Sequence, residues 1–192
     1  MAGRTGSGKS TLVKVLAGLY APHVGRVTVG GYDLGTLSPQ ERAGLVALVP
    51  QQVVLGPETI ADDLRLAAPT ASDAELTAAT ASVGLGAWLT GLPGGLTTPA
   101  GGASPLSAGE RQLLALIRVA LTRTPILILD EATADIDPAT AGLVEVAVDA
   151  LATDRTVIVV AHSAATLARL PKVFEVRSSG LVPVPPIHRA SA

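Results

Sequence analysis

The chain has no cysteine among its 192 residues. That excludes a disulfide framework and any thiolate metal site, and it fits a reducing compartment. Charge is also scarce: 16% of residues are charged, the formal net charge is -2 and the pI is near 5.9. No strong basic field is available, so no nucleic-acid partner is expected. There is no run of about 18 uninterrupted apolar residues, the length a membrane-crossing helix needs. No signal-peptide pattern is read at the amino end. Work at a membrane is therefore expected only by docking on something else. Internal repeats are absent too. The 48% hydrophobic content suffices for one well-buried domain, with a small subdomain at most.

What is present begins at once. GRTGSGKST occupies Gly3 to Thr11, and STLVKVLAGL from Ser10 to Leu19 carries apolar residues at helical intervals. The runs RVTV (Arg26 to Val29) and LVALV (Leu45 to Val49) read as strands separated by the turn-forming GGYD. From Glu58 to Val83 the pattern is alanine-rich and helical, with Ser72 and Glu75 spaced as a capping box. Gly91 to Pro105 is dense in glycine and proline and reads as a loop, and helical spacing resumes from Ser107 to Leu121. The runs ILIL (Ile126 to Leu129) and VIVV (Val157 to Val160) are apolar at every position, as parallel strands covered on both faces require. A helical stretch from Pro138 to Leu151 separates them. The residues from Val182 onward, VPVPPIHRASA, read as a frayed tail.

Three places carry chemistry. Gly3, Gly8, Lys9 and Ser10 match G-x-x-x-x-G-K-[ST]. In that pattern glycines let backbone N–H groups close around a phosphate at a helix N-terminus, the lysine adds a cation, and the hydroxyl ligates Mg²⁺. ILILDE ends in Asp130 and Glu131 at the carboxyl end of a buried strand, where open α/β sheets bind ligands. Because side chains alternate along a strand, adjacent acids divide the labour: Asp130 suits Mg²⁺, Glu131 suits a general base acting on water. His162 follows VIVVA directly, at the corresponding end of a second strand.

LSAGERQ at Leu106 to Gln112 completes a pattern with the phosphate loop, PQQ at Pro50 to Gln52, DEATADID at Asp130 to Asp137 and His162. Together, in that order, these resemble the nucleotide-binding domain of an ATP-binding cassette transporter over roughly Gly3 to Val182. The resemblance implies an α/β fold: a P-loop NTPase parallel-sheet core, a helical subdomain at about 58–122, part of an antiparallel β subdomain, and the first strands missing. Residues 183–192 are expected to form a proline-rich disordered tail. It implies that the loop residues Gly3, Arg4, Thr5, Gly6, Ser7, Gly8, Lys9, Ser10 and Thr11 hold ATP. Ser10, Gln51 and Asp130 would bind Mg²⁺, with Gln51 also serving the attacking water and sensing the membrane domain. Glu131 would be the general base and His162 the γ-phosphate contact. Ser107, Gly109 and Asp137 would face ATP held by a second nucleotide-binding domain, a homo- or heterodimer partner. The chain would lie on the cytoplasmic face of the membrane, bound through a transmembrane-domain partner. LTTPAGGASPLSAGE and VVLGPETIADDL look most like the exporter type.

Local roles coexist with these. Ser107 to Glu110 is also a plain capping box, and Asp137-Pro138 an ordinary N-cap with proline at the first helical position. Two departures stand out. LSGGQ is replaced by LSAGE, so Glu110 brings a carboxylate to a phosphate-binding helix end unless it turns back to cap its own helix. The aromatic residue that stacks on adenine in the family lies upstream of the loop; Tyr20 and Tyr32, both downstream, are poor substitutes. Without a strand ahead of the loop, a truncated remnant with weak or no activity stays open as an alternative, as does a soluble cassette ATPase outside transport. The short span from Lys9 to Ser107 disfavours DNA-repair members with long coiled coils.

Overall fold

The computed structural model describes residues 1–3, 7–56, 58–101, 106–131, 136–161, 164–177 and 180–184. The first helix, α1 (Lys9–Leu16), starts at Gly8, whose φ of 90° suits glycine alone. It ends three residues short of Leu19, because Gly18 turns left-handed at φ 70° and the Leu19 N–H folds back onto the Lys14 carbonyl. Of the expected RVTV strand only β1 (Thr28–Val29) forms, paired with β2 (Tyr32–Asp33) in a two-stranded ribbon. α2 (Pro39–Leu45), capped by a Ser38–Glu41 box, leads straight into β3 (Val46–Val49).

The alanine-rich pattern from Glu58 to Val83 is broken into two helices, α3 (Ile60–Arg65) and α4 (Asp73–Ser82). Pro69 lies between them, and each begins at its own capping box, Thr59–Asp62 and Ser72–Glu75. α5 (Gly86–Gly91) follows, then a 3₁₀ turn at Gly95–Thr97. α6 (Ala108–Leu121) starts at the expected place, with the Ser107–Glu110 box formed. β4 (Ile126–Asp130), α7 (Pro138–Leu151) and β5 (Thr156–Val160) then alternate as expected. α8 (Ala164–Arg169) and the antiparallel pair β6 (Val173–Arg177) and β7 (Gly180–Val184) close the described chain. β7 takes in Val182, Pro183 and Val184, residues assigned above to a frayed tail. Their pairing with Glu175, Phe174 and Val173 orders them; residues 185–192 lie outside the described residues.

β3, β4 and β5 form a parallel sheet in that order, with Val49 opposite Leu129 and Asp130 opposite Val160. The unbroken apolar runs are explained by burial on both faces: Leu127 and Leu129 belong to one hydrophobic cluster with α6 and α7, Ile128 to the other with Val13 of α1. The strand position leading into the phosphate loop is not empty. Met1 and Ala2 run between β5 and β6. The Met1 ammonium donates to the Val159 carbonyl, and the Ala161 N–H to the Met1 carbonyl at 3.1 Å. On the other side Ala2 donates to Phe174 O at 2.8 Å and its carbonyl accepts the Val176 N–H at 2.8 Å.

Candidate functional site

The register of the sheet decides where the chemistry converges. Val49, Leu129 and Val160 each stand one or two residues before a motif: Pro50-Gln51 after β3, Asp130-Glu131 at the end of β4, Ala161 and His162 after β5. Met1, bonded to Val159 and Ala161, places Gly3 at the same edge. Strands that run parallel and in register deliver their carboxyl ends side by side, so all four segments meet along one rim.

The described ends of the phosphate loop, Gly3 and Ser7 to Lys9, are tied together at that rim. A Cβ on Gly3 would sit 2.8 Å from Ser7 Oγ and 3.0 Å from the Val176 carbonyl, so no other residue fits. Lys9 is buried, and its Nζ donates to the Gly3 carbonyl at 2.7 Å, spanning the loop from within. The first N–H groups of a helix have no acceptor inside it; the Leu12 N–H bonds back to Gly8. Ser7 Oγ is buried without a hydrogen-bond partner, and Ser10 and Thr11 are exposed at the helix start. An orphaned hydroxyl, outward N–H groups and a buried cation fit a phosphate ester, and the Ser10 hydroxyl beside them fits Mg²⁺. Arg4, Thr5 and Gly6 lie outside the described residues.

Asp130 closes β4, half-buried. Glu131 is the one described non-glycine residue with positive φ, at 53°, while its N–H still reaches the Val160 carbonyl at 3.1 Å. The left-handed turn costs about 1 to 3 kcal/mol and swings the second acid off the strand's alternation, a placement no sequence pattern announces. Gln51 is exposed just beyond β3. His162 falls outside the described residues.

A second group stands on α6 and α7. Ser107 and Asp137, both exposed, cap the two helices, Asp137 Oδ1 accepting the Ala139 and Thr140 N–H groups at 3.1 and 3.0 Å. The Thr140 side chain and backbone bonds hold the Asp137 carboxyl below the ordinary carboxylate range. Gly109 is buried because α7 comes close: a Cβ there would lie 2.6 Å from Thr140 Cγ2 and 3.3 Å from Ile136 Cβ. Ser107 and Asp137 are thus fixed relative to each other through that contact. Glu110 turns back on its own helix, its Oε2 accepting the Ser107 N–H at 2.8 Å.

Three further ties were not foreseen from the sequence. Gln112, on α6, donates from Nε2 to the Pro50 and Gln51 carbonyls at 3.0 and 2.8 Å. Arg118, lower on α6, pairs with fully buried Asp63 (Nε to Oδ2, 2.8 Å), whose Oδ1 accepts the Gly56 N–H at 2.6 Å. Trp88 on α5 reaches Glu110. A buried amide and a lone indole both demand polar partners, and that demand is the one signal the sequence offered.

A family model described as "ABC transporter" matches residues 1–134. The chain is 38% identical over 182 residues to the mycobactin import ATP-binding/permease protein IrtA of Mycolicibacterium smegmatis, covering 95% of this chain and 21% of that protein. It is 36% identical over 174 residues to the ATP-dependent lipid A-core flippase of Chromobacterium violaceum, covering 90% and 30%. The structure of a bacterial Atm1-family ABC exporter with ATP bound superposes with a TM-score of 0.82 at 31% identity, over 94% of this chain and 32% of that one. The chain thus spans about a fifth to a third of the length of these relatives.

Proposed function

The chain belongs to the ABC transporter family, and from that premise we propose that it binds Mg-ATP at the carboxyl rim of its sheet and hydrolyses it to drive exporter-type transport across a membrane. The observation that carries this is the in-register delivery of the phosphate loop, Gln51 and the Asp130-Glu131 pair to one edge. Lys9 and the amides at the start of α1 hold the phosphates; Ser10, Asp130 and Gln51 hold the metal. When bound, Mg²⁺ supplies neutralisation of charge on the transferring phosphoryl group. Glu131 takes the proton of the attacking water, Gln51 orients that water, and His162 steadies the γ-phosphate. Ser107, Gly109 and Asp137 face the nucleotide of a second nucleotide-binding domain.

A membrane-domain partner has a suitable seat. β3 is the edge strand of the parallel sheet, and beside it a groove of about 480 Å³ is lined by Val46, Val49, Val53, Val54, Ala115 and Arg118. Val54 is 84% exposed there, three residues from Gln51. Relatives named as ATP-binding/permease proteins support a membrane domain as its occupant, and with that partner the chain would lie at the cytoplasmic face.

Glu131→Gln is expected to cut ATP hydrolysis about 10²- to 10⁴-fold while Mg-ATP binding, followed by calorimetry, survives. Near-normal turnover in that variant would remove Glu131 from its role. For the paired arrangement, Lys9→Ala and Ser107→Ala chains are mixed. The mixture should regain hydrolysis that neither has alone, because one composite site stays whole; verified mixed dimers without that gain exclude it.

A further inference from the structure

Among the described residues, a polar pair joins α5 to α6. Trp88, the single tryptophan of the chain, is half-buried on α5 and donates its indole Nε1–H to Glu110 Oε1 at 3.3 Å. The other oxygen of that carboxylate, Oε2, accepts the Ser107 N–H at 2.8 Å, and Ser107 Oγ in turn accepts the Glu110 N–H at 3.2 Å. Both carboxylate oxygens are therefore engaged, Oε2 by the N-cap residue of its own helix and Oε1 by α5.

The first turn of α6 is where an anionic phosphate gains from the outward N–H groups and the helix dipole. A carboxylate standing free at the same place repels it. The two oxygens share the negative charge equally; the capping bond through Oε2 alone leaves Oε1 without a donor at the helix end, and the indole supplies one. We propose that Trp88 is a positioning residue for the signature helix: by drawing Glu110 onto α5 it keeps the Ser107 end of α6 open to the γ-phosphate of ATP held by a second copy of the domain. This rests on the paired-nucleotide reading given above. It also makes the glutamate at a position where the family has glutamine compatible with phosphate binding, provided a tryptophan stands 22 residues before it.

Trp88 also packs against the main hydrophobic cluster, so packing and positioning must be separated. The test compares the parent protein with W88F, W88F/E110Q and E110A. Without nucleotide, the lone indole N–H resonance in a ¹⁵N-correlated spectrum reads the bond directly. E110A should move it, and an unmoved resonance overturns the contact. With Mg-ATP, W88F should raise the half-saturating concentration about threefold to tenfold, with the thermal melting curve and turnover at saturation changing little. Removing the charge in W88F/E110Q should bring half-saturation back to within about twofold of the parent. A W88F protein with parental half-saturation, or a double variant that stays impaired, overturns the proposal and leaves Trp88 a packing residue. Should W88F not fold, Glu110→Asp keeps the charge but shortens its reach to the indole: raised half-saturation supports the proposal, an unchanged value overturns it. A parent protein with no response to ATP sinks the functional reading and this inference together. A parent that responds, with W88F unaltered, sinks this inference alone.

Discussion

The two faces of the parallel sheet are covered by unequal cores. On the face of α6 and α7, Leu113, Leu116, Ile117, Leu127, Leu129 and Val144 join residues of α3, α4 and α5 in one large cluster. On the face of α1, the buried set is Met1, Val13, Leu34, Val46, Ile128, Val160 and Val176. The heavy side carries polar fastenings as well: Asp63 with Arg118, and Gln112 on the backbone at Pro50 and Gln51. The light side carries the glycine loop, where among the described residues Lys9 donates to the Gly3 carbonyl. The heavily packed half holds the backbone at Gln51 and the start of α6, while the lightly packed half carries the described ends of the glycine loop. Low local packing density of this kind is what regions that order around ligands share.

The sharpest way to break the contrast is to cut the heavy side's ion pair. Asp63→Ala leaves the Arg118 guanidinium without its buried partner and frees the Gly56 N–H, and about 3 to 5 kcal/mol of stability should be lost. Denaturant titration measures it, and a loss under 1 kcal/mol would show the fastening to be incidental. Next come matched truncations. Leu116→Ala on the heavy side should fall at the top of a range of about 2 to 5 kcal/mol and Leu34→Ala on the light side, almost as inaccessible to water, at the bottom of it. Equal costs would dissolve the difference between the faces.

The smallest effect is set by pH. Asp62, Glu75 and Asp137 cap α3, α4 and α7, and bonds from Thr59, Ser72 and Thr140 hold their carboxyls below their usual values. Glu41 does the same on α2 through Ser38. A depressed carboxyl adds stability that is complete above its unfolded value and lost as pH falls through the folded one. Helix ends should therefore stay protected from hydrogen exchange above the usual carboxylate range and fray as pH falls below about 4. Because three of the four caps lie on the heavy side, fraying should appear there first; uniform loss would contradict that.

Much of this was readable from local signals. Pro138–Leu151 begins and ends where Asp137-Pro138 and its apolar spacing say, and ILIL and VIVV became the parallel strands. Capping boxes at Ser72 and Ser107 are purely short-range and were legible for that reason. The resemblance brought Ser107, Gly109 and Asp137 together as a group, and the reason Gly109 must be glycine emerged only with Thr140 of α7 against it. What stayed hidden depends on contacts far apart in sequence. Glu131's positive φ, the grip of Gln112 on residues some sixty positions earlier, and the insertion of Met1 and Ala2 beside β5 have no periodicity to betray them. Arg26–Val29 failed as a strand because only Thr28 and Val29 find a partner in β2.

The hold of Gln112 on Gln51 is made entirely through main-chain carbonyls. A clamp on the backbone is blind to the side chain it positions. Exchanging the amide at residue 51 for another group is therefore expected to change the side chain offered there without loosening the segment, whereas exchanging Gln112 is expected to loosen the segment and leave its side chains unaltered. Reactivity and placement, normally confounded in a loop, are in this protein two independent variables written at two different positions.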